Sequence, residues 1–145
     1  MRLKTFPGGV HPPDEKKYSA SVPIVEIPMP PKVTIHLSQH IGSPSKPIVS
    51  VGDEVLTGQK IAESTGFVSL AQHSSISGKV TAIGSFPNAT GSSSMAIQIT
   101  GDGSDKWIEL TDEQNFMDLP TEEMKKRIGE AGICGMGGAG FPTLV

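Results

Sequence analysis

Val49-Ser50-Val51-Gly52-Asp53-Glu54-Val55-Leu56-Thr57-Gly58-Gln59-Lys60-Ile61-Ala62-Glu63 is the stretch that decides how this 145-residue chain folds. Gly52-Asp53 and Thr57-Gly58 are turn pairs set five residues apart, of the composition that tight β-turns require. The β-branched residues around them, Val49, Val51, Val55 and Ile61, have a stiff χ1 that suits a pleated strand better than a helix. A similar unit follows at Ser77-Gly78-Lys79-Val80-Thr81-Ala82-Ile83-Gly84. Outside both lie Val33-Thr34-Ile35-His36-Leu37 and Met95-Ala96-Ile97-Gln98-Ile99, each with the period-two pattern of a half-buried strand. The expected fold is mainly β, with short strands over residues 32–110.

Composition points the same way. The chain holds 17 glycines and 12 prolines, about a fifth of its residues against roughly 12 % in ordinary usage. The formal net charge is −3, and acidic neighbours dilute the densest basic spots, Lys16-Lys17 and Lys125-Lys126-Arg127. That argues against a nucleic-acid partner. No stretch approaches the ~18 consecutive apolar residues of a membrane span. The first seven residues lack the apolar run of a secretory signal. Cys134 is the only cysteine, which excludes an internal disulfide and an all-cysteine metal site.

Residues 1–31 form an extended, Pro/Gly-rich N-terminal arm. Phe6-Pro7-Gly8-Gly9-Val10-His11-Pro12-Pro13 and Pro28-Met29-Pro30-Pro31 lack the donors and dihedral freedom of a helix or a central strand. Two courses are open to this arm. It either moves freely or lies over a neighbouring surface, with Phe6, Val22, Ile24, Val25 and Ile27 as anchors.

Residues 111–145 read differently. After a polar connection at Gly101-Asp102-Gly103-Ser104-Asp105, Trp107 is expected to cap the β core. A helix follows, with Thr121 as N-cap, Glu122-Glu123 at the positive end of its dipole, and Gly132 as the C′ stop. Met124, Ile128 and Ala131 fall on one face. Then comes Ile133-Cys134-Gly135-Met136-Gly137-Gly138-Ala139-Gly140-Phe141-Pro142-Thr143. Its four glycines let the backbone approach a ligand closely and turn N–H groups toward a phosphate. Gly135, Gly137 and Gly140 also satisfy G-x-G-x-x-G. A helix precedes the loop, however, with at most three residues of strand between, which is the wrong setting for a Rossmann site. No P-loop lysine follows the glycines.

The histidines and the cysteine call for structural readings. His36 and His40 would share one face of a helix, but the strand pattern sets them elsewhere, so no metal site is expected. His11 is expected to hydrogen-bond within the arm, His73 to serve structure or an interface, and Cys134 to be a small buried packing residue. No catalytic residue is expected in the chain.

Two resemblances add to this. The pattern V-x-V-G-D-x-V-x-x-G-Q-x-I-A followed by S-G-K-V-x-x-I resembles the biotinyl/lipoyl carrier fold, a barrel-sandwich hybrid that displays a lysine on an exposed hairpin between its halves. The corresponding stretch here, residues 64–75, holds no lysine. Lys60 and Lys79 lie elsewhere in the two units, so a carrier role is disfavoured. The string A-G-I-x-G-x-G-G-A-G-F-P-T resembles the flavin loop in the NADH-oxidising subunit of respiratory complex I, and more closely the same segment in the RnfC family of the Rnf electron transport complex. F-x-G-G-V-H-P-P at 6–13 and Q-H-I-G-x-P at 39–44 fit the RnfC family too. A component of the sodium-pumping NADH:quinone reductase with a similar front end is a more distant relative.

The RnfC resemblance implies a peripheral subunit on the cytoplasmic face of the cell membrane. It would work with the other Rnf subunits, passing electrons between ferredoxin and NAD with sodium or proton translocation. It also implies FMN and NADH binding in an α/β domain that begins in residues 111–145 and is truncated here, with two [4Fe–4S] clusters farther on. Gly135, Gly137, Gly138, Ala139, Gly140 and Phe141 would line the flavin. The 145 residues alone are then expected to be inert. The alternative is a stand-alone lipoyl-like interaction module without a modified lysine.

Overall fold

The computed structural model describes residue 8, residues 12–112 and residues 115–145. Phe6 and His11 lie outside the described residues. In chain order the elements are β1 (Lys32–His36), β2 (Lys46–Pro47), β3 (Glu54–Val55), β4 (Lys60–Glu63), β5 (Gln72–His73), β6 (Gly78–Pro87), β7 (Ser93–Gly101), α1 (Thr121–Glu130), β8 (Cys134–Gly135) and β9 (Phe141–Pro142).

The strands form a four-stranded antiparallel sheet in the order β1-β7-β6-β3, a three-stranded sheet β2-β4-β5 and the hairpin β8-β9. The period-two alternation decides the register. Val33, Ile35 and Leu37 meet Ile99, Ile97 and Met95 across β1 and β7. Ile35, Leu37, Ile97 and Ile99 therefore point into one core with Val55, Ile61, Ile76 and Val80. The β6–β7 register slips by one residue between Val80 and Ala82, a bulge at Thr81 that increases local twist. The result is a mainly β, barrel-sandwich hybrid fold with a curled sheet and little helix.

Several sequence expectations are corrected. Trp107 is 57 % exposed and does not cap the core. Its neighbours Lys106 and Ile108 hydrogen-bond the backbone of Thr57, which lays the indole over the Thr57-Gly58 turn. Helix α1 starts from Pro120 as N-cap, with no side-chain cap bond. The Pro120 carbonyl already accepts the Met124 N–H at 3.0 Å, which puts Thr121 inside the first turn. Met124 and Ile128 are half-buried and Ala131 is exposed, so the apolar face is narrower than expected. Val22, Ile24, Val25 and Ile27 are all exposed, so the described part of the arm does not use them as anchors on the barrel. Cys134 is half-buried rather than buried, and its thiol is free.

The carrier hairpin differs most from expectation. Residues 64–71 do not stand out as a display tip. Ser69, Leu70 and Ala71 are buried, whereas Ser64, Thr65, Gly66 and Phe67 are exposed, Phe67 to 77 %. Ser43 N–H donates to Val68 O at 3.0 Å, Thr65 Oγ1 to Pro44 O at 2.7 Å, and Ser45 Oγ to Leu70 O at 2.7 Å. Gly42, at φ +91°, makes this approach possible, since a Cβ there would sit 2.2 Å from Val68 O.

Candidate functional site: the glycine hairpin

The glycine string is positioned by the helix before it. Ile133 N–H donates to Ile128 O at 3.2 Å and Gly132 N–H to Gly129 O at 3.0 Å, the paired bonds of a Schellman C-cap. Gly132 takes φ +69° and lies so close to the barrel that a Cβ would meet Ala71 O at 2.6 Å. Glu130, at the helix end, forms an ion pair with Lys60 of β4. His73, the cross-strand partner of Lys60, packs beside the same helix end, its Nδ1 3.5 Å from where a Cβ on Gly132 would lie. Burial, helped by the Lys60 charge, pulls the His73 pKa below its ordinary value. It lies at the seam between helix and barrel.

From this seam the chain makes a short β-hairpin. Cys134 pairs with Pro142 and Gly135 with Phe141, so residues 136–140 form its tip. Pro142 is fully buried, and Thr143 N–H donates to Ile133 O at 3.1 Å. On the barrel side, Ile41 N–H donates to Gly140 O at 3.0 Å. Gly140 takes φ +70°, with its Cβ position 3.5 Å from Gln39 O. The base of the hairpin is thus held at fixed points, while Met136, Gly137, Gly138 and Ala139 are exposed.

All six residues singled out from the sequence fall in this one hairpin: Gly135 and Phe141 in its ladder, Gly137, Gly138 and Ala139 at the tip, and Gly140 at the barrel contact. The helix-then-hairpin order differs from the strand-then-helix order of a Rossmann turn. His36 and His40 are not brought together as ligands: His36 Nδ1 bonds Ser94 Oγ at 2.8 Å, and His40 turns inward. Among the described residues no three His, Cys, Asp or Glu side chains converge as a metal site. No helix among them is long and apolar enough to cross a membrane.

Sequence patterning did not point to the buried polar residues under the hairpin. His40, only 8 % exposed, donates from Nδ1 to Ile41 O at 2.8 Å and accepts the Leu70 N–H on Nε2 at 3.1 Å. A backbone N–H can only donate, which fixes this assignment of the ring nitrogens. The buried Gln72 accepts at Oε1 from Nε2 of the exposed Gln39 at 2.9 Å. The Q-H-I-G-x-P string at 39–44 was the available signal, although its bonding partners lie about thirty residues away.

The RnfC barrel sandwich hybrid domain matches residues 4–104. The chain belongs to this family. Among its relatives are the RnfC-type components of three ion-translocating complexes. It is 50 % identical over 144 residues, 99 % of its length, to that of the proton-translocating ferredoxin:NAD(+) oxidoreductase complex of Clostridium ljungdahlii. It is 43 % identical over 97 % of its length to that of the Na(+)-translocating ferredoxin:NAD(+) oxidoreductase complex of Acetobacterium woodii. It is 44 % identical, again over 97 %, to that of the ion-translocating oxidoreductase complex of Pseudomonas aeruginosa. The chain spans between 18 % and 32 % of the length of these relatives. In each case the match runs past the family domain and takes in the glycine hairpin, since it covers nearly all of the chain.

Proposed function

We propose that this chain is the front of the RnfC subunit of an ion-translocating ferredoxin:NAD(+) oxidoreductase complex, peripheral to the membrane on its cytoplasmic face. In this reading residues 1–31 are an arm, residues 32–110 a scaffold barrel, and residues 111–145 the start of a domain that binds FMN and NADH. Gly135, Gly137, Gly138, Ala139, Gly140 and Phe141 hold the flavin through backbone N–H groups and close packing. The remaining Rnf subunits, ferredoxin and NADH are the partners.

One observation carries the flavin assignment. A Cβ at Gly137 or Gly138 would meet nothing within 4 Å, and neither residue sits at positive φ. The barrel and hairpin do not need glycine at these two positions, whereas a ligand laid on the tip does. When bound, FMN supplies hydride acceptance from NADH and onward single-electron transfer. This chain's residues supply backbone donors and, at Gly137 and Gly138, a floor without side chains. The thiolates for two [4Fe–4S] clusters have to come from outside these residues, because Cys134 is the only cysteine and each cluster takes four.

The test is the flavin content of the purified complex carrying Gly137→Val. FMN released by acid should drop at least tenfold relative to wild type while assembly of the complex is unchanged. A Gly137→Val complex with full flavin would sink the assignment.

A further inference from the structure

We infer that His40 is a positioning residue for the flavin hairpin, acting through the backbone of residues 39–41. This rests on the reading of the glycine hairpin as the flavin site. The barrel ties the hairpin by a hydrogen bond from Ile41 N–H to Gly140 O at 3.0 Å. The donor lies on a segment without regular secondary structure, whose course has to be fixed by side chains. His40 fixes it from both ring nitrogens, with Nδ1 holding Ile41 O at 2.8 Å and Nε2 tied to Leu70 N–H at 3.1 Å.

The second tie crosses to the segment where a carrier domain would display its lysine. That segment is itself immobilised, with Ser45 Oγ holding Leu70 O at 2.7 Å. The segment where a carrier would display its lysine is therefore a fixed post here, and His40 is the strut between the post and the flavin loop. A buried polar residue with both partners satisfied rigidifies its surroundings, and removing it leaves the Leu70 N–H and Ile41 O without partners. The cost falls on the segment that aims at Gly140 O, and the tip loses its shape before the barrel loses its core.

The test uses the full-length protein within its complex, stripped of flavin and titrated with FMN by fluorescence quenching. Wild type is compared with His40→Ala, His40→Gln and His40→Asn. Glutamine can keep the acceptor for Leu70 N–H, and asparagine keeps only the donor toward Ile41 O. His40→Ala should bind FMN about tenfold more weakly, the scale set by one lost buried pair of hydrogen bonds. Amide exchange at Ile41 should accelerate while the β6–β7 amides keep their protection, a separation that general destabilisation would not give. His40→Gln should recover most of the affinity and His40→Asn should not.

An His40→Ala protein that binds FMN within twofold of wild type, in a complex where Gly137→Val abolishes binding, overturns the inference and leaves the flavin reading standing. If Gly137→Val also leaves binding intact, the flavin reading fails and this inference fails with it. Should the alanine variant not fold, the conservative pair decides: equal FMN affinities for His40→Gln and His40→Asn overturn the inference, and a several-fold advantage for glutamine supports it.

Discussion

Two loops lean on the same short segment, residues 39–45, and they are held in opposite ways. The loop at residues 64–71 is bound along its length: Val68 O, Leu70 O and Leu70 N–H all engage the segment, and three of its residues are buried. The glycine hairpin meets the segment at the hydrogen bond from Ile41 N–H to Gly140 O, and residues 136–139 of its tip are exposed. Glycines separate the two in the same way. Gly42 and Gly132 sit where a Cβ would strike a carbonyl oxygen, whereas Gly137 and Gly138 face open space. Glycine that the fold requires marks architecture. Gly84 in β6 also has nothing near its Cβ position, so what sets the hairpin tip apart is four glycines within residues 135–140.

Core truncation should break this contrast most strongly on the bound side. Leu70 is 1 % exposed, and Leu70→Ala removes its packing and leaves a cavity under the loop, costing about 3 kcal/mol. Chemical denaturation would show it as a lower midpoint with an unchanged slope. A cost below about 1 kcal/mol would mean that the 64–71 loop is not part of the cooperative unit.

Gly132→Ala should come next, at about 2 kcal/mol. The new methyl meets Ala71 O at 2.6 Å, and the residue must hold φ +69°, a conformation that costs a non-glycine residue about 1 kcal/mol or more before any clash. Denaturation of this variant would also show whether the helix–barrel seam belongs to the same transition. Two separate transitions would mean that α1 and the hairpin unfold on their own.

A smaller effect at the same seam depends on pH. His73 has its pKa held below 6.5, chiefly by burial and then by Lys60. A histidine with a lowered folded pKa contributes stability that is fully present above its unfolded pKa and is lost as pH falls through that value toward the folded one. The wild type should therefore lose stability as pH falls below about 6.5, and His73→Gln should lose less over the same range. Equal slopes for the two proteins would show that His73 does not sense the seam.

How much of this was legible in the chain depends on how far each residue's partners lie along it. The strands at 33–37 and 95–99 and the turns at Gly52 and Gly58 were readable, because alternation and turn chemistry are local signals. The same is true of Gly132 as the helix stop. Clustering of the six glycine-loop residues was legible for the same reason. The orientation of Trp107 was not, because it depends on a bridge to Thr57 fifty residues away. The Lys60–Glu130 pair spans seventy residues, and charge patterning alone does not select it. His40 was visible within a motif, but its role comes from Leu70 N–H, a backbone group that no composition rule points to. Of the candidate site, the sequence revealed the exposed glycine tip and concealed the scaffold that holds it.

The smallest expected effect tests the unbound side of the contrast. Met136 is 87 % exposed at the hairpin tip, and its neighbours Gly137 and Gly138 have no atom near their Cβ positions. Met136→Ala and Gly137→Ala should each change stability by no more than about 0.5 kcal/mol, the range of surface substitutions away from caps and cores. Stability alone does not judge Gly137→Ala, however, because a methyl too small to disturb the fold should still weaken FMN binding in the full complex. The informative result is a variant with wild-type denaturation and impaired flavin retention. Loss of stability would instead show that the tip packs against something in the fold, and the contrast between the two loops would then collapse into a difference of degree.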